Sequence, residues 1–176
     1  IEGPPGIGKS AIVAEVAEEE GVGCIDFRLL LRDPTDLRGI PVPDFEHGVA
    51  RWLPPSELPS NGYHPESGIL FFDDMPTAPP LVQASAYQIT LFPHKLGEYQ
   101  LPAKWVIVGA GNRAEDRSLV HRMPLALRDR FFKIGLEVNL QDWTNWAVTH
   151  AIDASIVSFL NNMGEEAGGG NLLYAL

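Results

Sequence analysis

Short solid apolar runs alternate along the chain with stripes at helical spacing. Ile12, Val13, Val16 and Ala17 make such a stripe over residues 11–20, and Gly21 stops it, which predicts a helix. Residues 24–31 predict a strand, because Ile25, Phe27 and Leu29 alternate with other residue types before the run turns wholly apolar. Asp-Pro-Thr-Asp at 33–36 ends it. From 37 to 68 the pattern dissolves into a segment rich in Pro and Gly, the mark of an insertion or a functional loop. Residues 48–53 predict one short strand inside it, and Pro54, Pro55 and Pro59 exclude regular structure afterwards. Ile69, Leu70, Phe71 and Phe72 predict a buried strand running into Asp73 and Asp74. A helix follows over 79–91, with Pro79 and Pro80 in its first turn. Residues 96–102 read as a turn or small hairpin, and 104–112 as a buried strand ending in Asn112. Residues 124–132 predict a short helix bearing Arg128 and Arg130, then a strand over 133–138. Two further helices fall at 141–150 and 154–162, the first with Trp143, Trp146 and Ala147 on a face assigned to core packing. The glycine run at 168–170 breaks the pattern, and no internal repeat is present.

The chemistry sits ahead of the first helix. Gly3 to Ser10 fits G-x-x-x-x-G-K-[ST], the phosphate-binding loop. Glycines let the backbone turn tightly and bring N–H groups to a phosphate. Lys9 supplies a mobile positive charge for the β- and γ-phosphates. The Ser10 hydroxyl is a natural Mg²⁺ ligand, and the helix start aims its positive dipole end at the anion. Gly3, Pro4, Pro5, Gly6, Ile7, Gly8, Lys9, Ser10 and Ala11 are therefore the candidate nucleotide-binding residues. Four apolar residues ending in two acids, about sixty positions later, match the second signature of nucleotide hydrolases. Asp73 would hold Mg²⁺ with Ser10, and Asp74 would polarise the attacking water. In parallel α/β sheets ligands bind beyond the carboxyl ends of the strands, which brings the loop, Asp73, Asp74 and Asn112 to one sheet edge. A buried strand is expected before such a loop. Only Ile1 and Glu2 precede it, so more of that strand is expected upstream in the parent chain.

Composition narrows the reading little. The 176 residues are 45% hydrophobic and 20% charged, as in an ordinary globular domain. A net charge of −10 argues against a broad basic surface for duplex nucleic acid, although an assembled ring can still carry a local basic pore. Cys24 is the only cysteine, which excludes intrachain disulfides and suits a reducing cytoplasm. No apolar run reaches membrane-spanning length. His47, His64, His94, His121 and His150 fall in unrelated contexts with no metal-site spacing.

Nearly the whole chain resembles the MoxR-like AAA+ ATPases. The pieces that carry the resemblance are GPPGIGKS, DLRGIPVPD, RWLPPSELP, GILFFDDM, LGEYQLPAKWVIVGAGNR and MPLALRDRFF. It implies an α/β core over 1–138 with a parallel sheet of order 5-1-4-3-2, its first strand mostly missing. It implies an insert at about 36–68, a hairpin before the sensor strand, and the start of a helical lid over 139–176. It also implies Mg²⁺-ATP bound between subunits of a homo-hexamer. Such proteins are chaperone-like remodelers of protein partners, often acting with a von Willebrand factor A-domain protein. Matched position by position, Asp74 stands where the catalytic Glu usually is, Asn112 matches sensor 1, and Arg130, with Arg128 as competitor, matches the arginine finger. The chain departs from the pattern at Asp74, one methylene shorter than Glu, and it ends before any sensor 2 arginine. Two other readings stand beside the ATPase remodeler. One is a nucleotide-gated scaffold with slow hydrolysis, motivated by Asp74. The other is a nucleic-acid-associated motor subunit, which the acidity disfavours.

Overall fold

The computed structural model describes residues 1–113 and 123–166; His121 and the glycine run at 168–170 lie outside them. The solid apolar run becomes strand β4, which is buried along its whole length, while β1 to β3 precede it in sequence. Strand β1 is Gly23–Arg28, β2 Ile40–Asp44, β3 Val49–Leu53 and β4 Gly68–Asp73. The hairpin strands β5 and β6 are Lys95–Leu96 and Tyr99–Gln100, and β7 is Trp105–Gly109. Strand β4 pairs in parallel with β1 on one side and β7 on the other. Glu2 then bridges in parallel to Gly111 and to Gly135. Its N–H donates to the Ile134 carbonyl at 2.8 Å, and its carbonyl accepts from Leu136 N–H at 2.7 Å. The chain start thus lies between β7 and residues 134–136, and the sheet follows the expected 5-1-4-3-2 order.

Helix α1 (Lys9–Glu19) covers one face and α3 (Pro80–Thr90) the other. Side chains alternate along β4, so Ile69 and Phe71 pack with Val13 and Ala17, whereas Leu70 and Phe72 pack with Val82, Ala86 and Ile89. The apolar stripe on α1 is split: Val13 and Ala17 are buried, but Ile12 and Val16 stay exposed.

The insert is more ordered than its sequence pattern suggests. A short helix, α2 (Pro34–Arg38), leads through Gly39 into β2, which pairs antiparallel with β3 as a separate two-stranded sheet. Gly39 has φ +86°, and a Cβ there would overlap the Leu53 carbonyl, so this turn admits only glycine. The return arm is pinned to the core. Tyr99 Oη donates to the Pro59 carbonyl at 2.8 Å, Trp105 Nε1 donates to the Pro65 carbonyl at 3.1 Å, and Leu58 is fully buried.

Four expectations are corrected. The predicted 24–31 strand stops at Arg28, and Leu29–Leu31 turn into a 3-10 helix with Leu29 buried. The predicted strand over 133–138 is reduced to the single bridge at Gly135. Trp146, on α5 (Leu140–Thr149), is 41% exposed rather than core, while Ala147 beside it is fully buried. Trp146 stacks on His150 at 4.3 Å and donates through Nε1 to Glu15 Oε1 of α1 at 3.2 Å. Helix α4 (Leu125–Arg128) is shorter than predicted, and α6 (Ala154–Glu166) packs on α5.

Candidate functional site

The site is assembled from the ends of neighbouring strands. Residues 3–8 leave the sheet and turn into α1 through Gly8, whose φ of 87° and ψ of 19° lie in the left-handed region. Gly6 has φ +78°, and open space surrounds the place where a Cβ would stand at either glycine. At these two positions glycine answers to the left-handed backbone conformation and not to lack of room. No acidic residue occupies the first turn of α1, so nothing there cancels its dipole.

Lys9, the first residue of α1, is only 8% exposed. Its ammonium donates to the Gly3 carbonyl at 3.1 Å, the Pro4 carbonyl at 2.7 Å and Asn112 Oδ1 at 2.8 Å. A buried ammonium carries three donors and is costly unless they are met. The loop's own carbonyls and the residue just beyond β7 meet them. Ser10 Oγ donates to Asp73 Oδ2 at 2.7 Å. Asp73 Oδ1 accepts from the Asp74 backbone N–H at 2.9 Å, which fixes the carboxylate's orientation. Four predicted residues, Lys9, Ser10, Asp73 and Asn112, therefore meet in two hydrogen-bonded pairs separated by up to 103 positions in sequence.

Asp74 joins them at the rim. It adopts φ 52° and ψ 32°, a left-handed conformation that an L side chain rarely takes and that tends to be held at functional sites. Its carbonyl accepts from Thr77 Oγ1 at 2.7 Å and from Thr77 N–H at 3.0 Å, which hold the turn. Partial burial pushes the Asp74 carboxyl above the usual carboxylate range, and the neighbouring Asp73 charge adds to the rise. Lys9 and Arg28 pull it back down.

Arg28 is the participant that sequence reasoning missed. It ends β1 in register with Asp73, is held by Asp26 Oδ2 at 3.1 Å, and feels both Asp73 and Asp74. Treating residues 24–31 as one strand put the carboxyl end three residues too late and hid Arg28 from the strand-end rule. Arg130 does not join this cluster. Its side chain is exposed and makes no hydrogen bond or ion pair among the described residues, whereas Arg128 lines a small cleft with Glu2, Met75 and Phe131.

The fit to Mg²⁺ and a nucleoside triphosphate is chemical. The loop that turns at Gly6 and Gly8, the helix start and the Lys9 ammonium suit phosphate oxygens. The adjoining Ser10 hydroxyl and Asp73 carboxylate are hard oxygen donors of the kind Mg²⁺ takes. Among the described residues no helix is long and apolar enough to cross a membrane.

Neither a protein-family model nor a curated protein matches the chain. Solved structures do. A protein described as a candidate ATPase from Cytophaga hutchinsonii superposes with a TM-score of 0.51 at 21% identity, over 78% of this chain and 40% of that one. A RuvB mutant from Thermotoga maritima gives a TM-score of 0.51 at 18% identity, over 86% of this chain and 43% of that one. The chain therefore shares the α/β fold of these two structures, a parallel sheet flanked by helices, and spans about two fifths of their length.

Asp74 yields a stability prediction whose sign follows from its raised folded-state pKa. A carboxyl that ionises less readily when folded costs stability wherever it is ionised, and stability rises as pH falls from the folded towards the unfolded pKa. Asp74→Asn removes that cost. Its melting temperature is expected above the parent's at neutral pH, with the gap closing as pH falls towards the unfolded carboxyl pKa of about 4. A variant less stable than the parent at pH 7 would contradict the assignment.

Proposed function

We propose that the chain is the nucleotide-binding core of a Mg²⁺-dependent ATPase that works as a ring and remodels a protein partner. The observation that carries the nucleotide reading is the meeting of Lys9 with Asn112 and of Ser10 with Asp73 at the mouth of the loop. In the reading, residues 3–8 and the start of α1 receive the phosphates through backbone N–H groups. The Lys9 ammonium exchanges loop carbonyls for β- and γ-phosphate oxygens. Ser10 and Asp73 would hold Mg²⁺, which supplies charge neutralisation across the β- and γ-phosphates. Asp74, with its raised pKa, is poised to orient and accept a proton from the attacking water. Asn112 fixes Lys9 before nucleotide arrives and is free to meet the γ-phosphate afterwards.

The finer reading, a MoxR-type, chaperone-like homo-hexamer with a von Willebrand factor A-domain partner, rests on the sequence resemblance. Two observations support a ring. Arg130 is exposed without a partner in its own chain among the described residues. The insert hairpin stands off the core as a separate sheet. An Arg130 guanidinium reaching a neighbour's γ-phosphate would neutralise charge in the transition state, a contribution of about 10³–10⁵ in rate for arginine fingers.

Calorimetric titration with Mg²⁺-ATP tests the core claim. Lys9→Ala is expected to lose nucleotide affinity while keeping a cooperative melt, and unchanged affinity would remove the basis of the reading. The ring claim is tested by mixing two inactive proteins, Lys9→Ala and Arg130→Ala, before assembly. Partial recovery of turnover is expected, because some interfaces then pair an intact loop with an intact Arg130. Full activity of Arg130→Ala alone, or no recovery in demonstrably mixed rings, would contradict it.

A further inference from the structure

The insert hairpin has two outer edges, and only one is closed. Strand β2 contains Pro41 and Pro43, which face Trp52 and Ala50 of β3 in the antiparallel register. In an antiparallel pair, facing residues alternate between those that exchange two N–H···O bonds and those that exchange none. Proline has no N–H, so Pro41↔Trp52 and Pro43↔Ala50 must be the non-bonded pairs. Ile40↔Leu53, Val42↔Arg51 and Asp44↔Val49 are then the bonded ones. Backbone groups of the non-bonded residues point away from the partner strand. On the β2 side that outer edge presents proline nitrogens and no donors. On the β3 side it presents the N–H and C=O of both Ala50 and Trp52.

These groups are unclaimed within the described chain. The hairpin is a two-stranded sheet with no third strand, and neither Ala50 nor Trp52 has another backbone hydrogen bond there. Proline on an edge strand is a device that blocks further pairing. Here it protects one edge and leaves the opposite one open. The face above the open edge is apolar at both ends, with Val49 53% and Leu53 54% exposed. At its middle, Arg51 is neutralised by Asp44 through a 2.7 Å contact. On the far face the Arg38 guanidinium stacks 4.0 Å over the Trp52 ring. Outward unpaired backbone, paired charge and alternate apolar side chains are the features that receive an added strand.

We propose that the outer edge of β3 captures an extended, uncharged segment of a protein partner as a third strand, with alternate apolar side chains on Val49 and Leu53. The backbone of Ala50 and Trp52 supplies the hydrogen bonds. The proposal deepens the remodeler reading by placing the partner's contact on the insert, but binding at this edge requires no nucleotide.

The test uses a dye-labelled peptide alternating valine and threonine, followed by fluorescence anisotropy and by amide exchange in NMR spectra. In the free protein the Ala50 and Trp52 amides are expected to exchange fast, with Val42, Asp44 and Arg51 protected. Saturating peptide should slow exchange at Ala50 and Trp52. Ala50→Pro, which removes an outward N–H and leaves the hairpin ladder intact, should weaken binding about ten-fold, while Ala50→Val should retain it. Protection at Val42 and Asp44 in Ala50→Pro checks that the hairpin survives; if it is lost, the amide exchange of the parent decides alone. Protected Ala50 and Trp52 amides in the free protein, absence of peptide binding, or equal affinity of Ala50→Pro and parent would each overturn the proposal. Mg²⁺-ATP affinity measured on the same samples separates the two readings. Peptide capture without nucleotide binding would sink the ATPase and leave the edge, and the converse would do the opposite.

Discussion

A buried positive charge sets the terms for the rest of the structure. The Lys9 ammonium lies almost out of water at the first turn of α1. An ion in that position is tolerated only when its donors are satisfied. The Gly3 and Pro4 carbonyls can turn inward to do so because the loop is short and pivots on glycines at Gly6 and Gly8. The third acceptor, Asn112, arrives from beyond β7 and is delivered by the register of β4 with β7 and of Gly111 with Glu2. Loop conformation, strand order and the position of Asn112 thus meet in the hydrogen bonds of one buried ammonium. In the proposed reading an anion displaces these neutral oxygens from Lys9 without rebuilding the fold.

The second constraint is that β4 is buried on both faces and both edges. Such a strand can end only where its last residues reach a polar space, and Asp73 and Asp74 mark that place. The same strand separates two cores, one under α1 and one under α3. The larger core reaches out to Leu37 and Leu58, so the insert is part of the domain's packing at its base and free only at its hairpin. Tyr99 and Trp105 reinforce this by donating to carbonyls of the insert's return arm.

Much of this was legible in the residues. The loop and the strand into Asp73 are strong local patterns and lie where those patterns put them, whereas the buried strand predicted over 104–112 stops at Gly109, three residues before Asn112, and has Val106 57% exposed. The misses share a cause, which is that tertiary pairing decided what local pattern left open. Leu29, Leu30 and Leu31 have the composition of a strand, but β4 ends opposite Arg28, and without a partner the chain turns into a 3-10 helix. Ile40–Asp44 holds two prolines and reads as irregular, yet prolines at non-bonded positions are compatible with an edge strand. Trp146 sits on an apolar stripe and reads as core, but its indole N–H has a partner in Glu15, and that polar handle keeps it at the surface. Arg28 became visible as a site residue only once the true end of β1 was known.

The most direct measurement is a crystal structure of the chain with Mg²⁺ and a non-hydrolysable ATP analogue. Lys9 Nζ is expected to leave the Gly3 and Pro4 carbonyls for the β- and γ-phosphate oxygens, with the metal beside Ser10 Oγ and Asp73. A nucleotide bound elsewhere, or a Lys9 still held by its loop carbonyls beside a bound triphosphate, would contradict it.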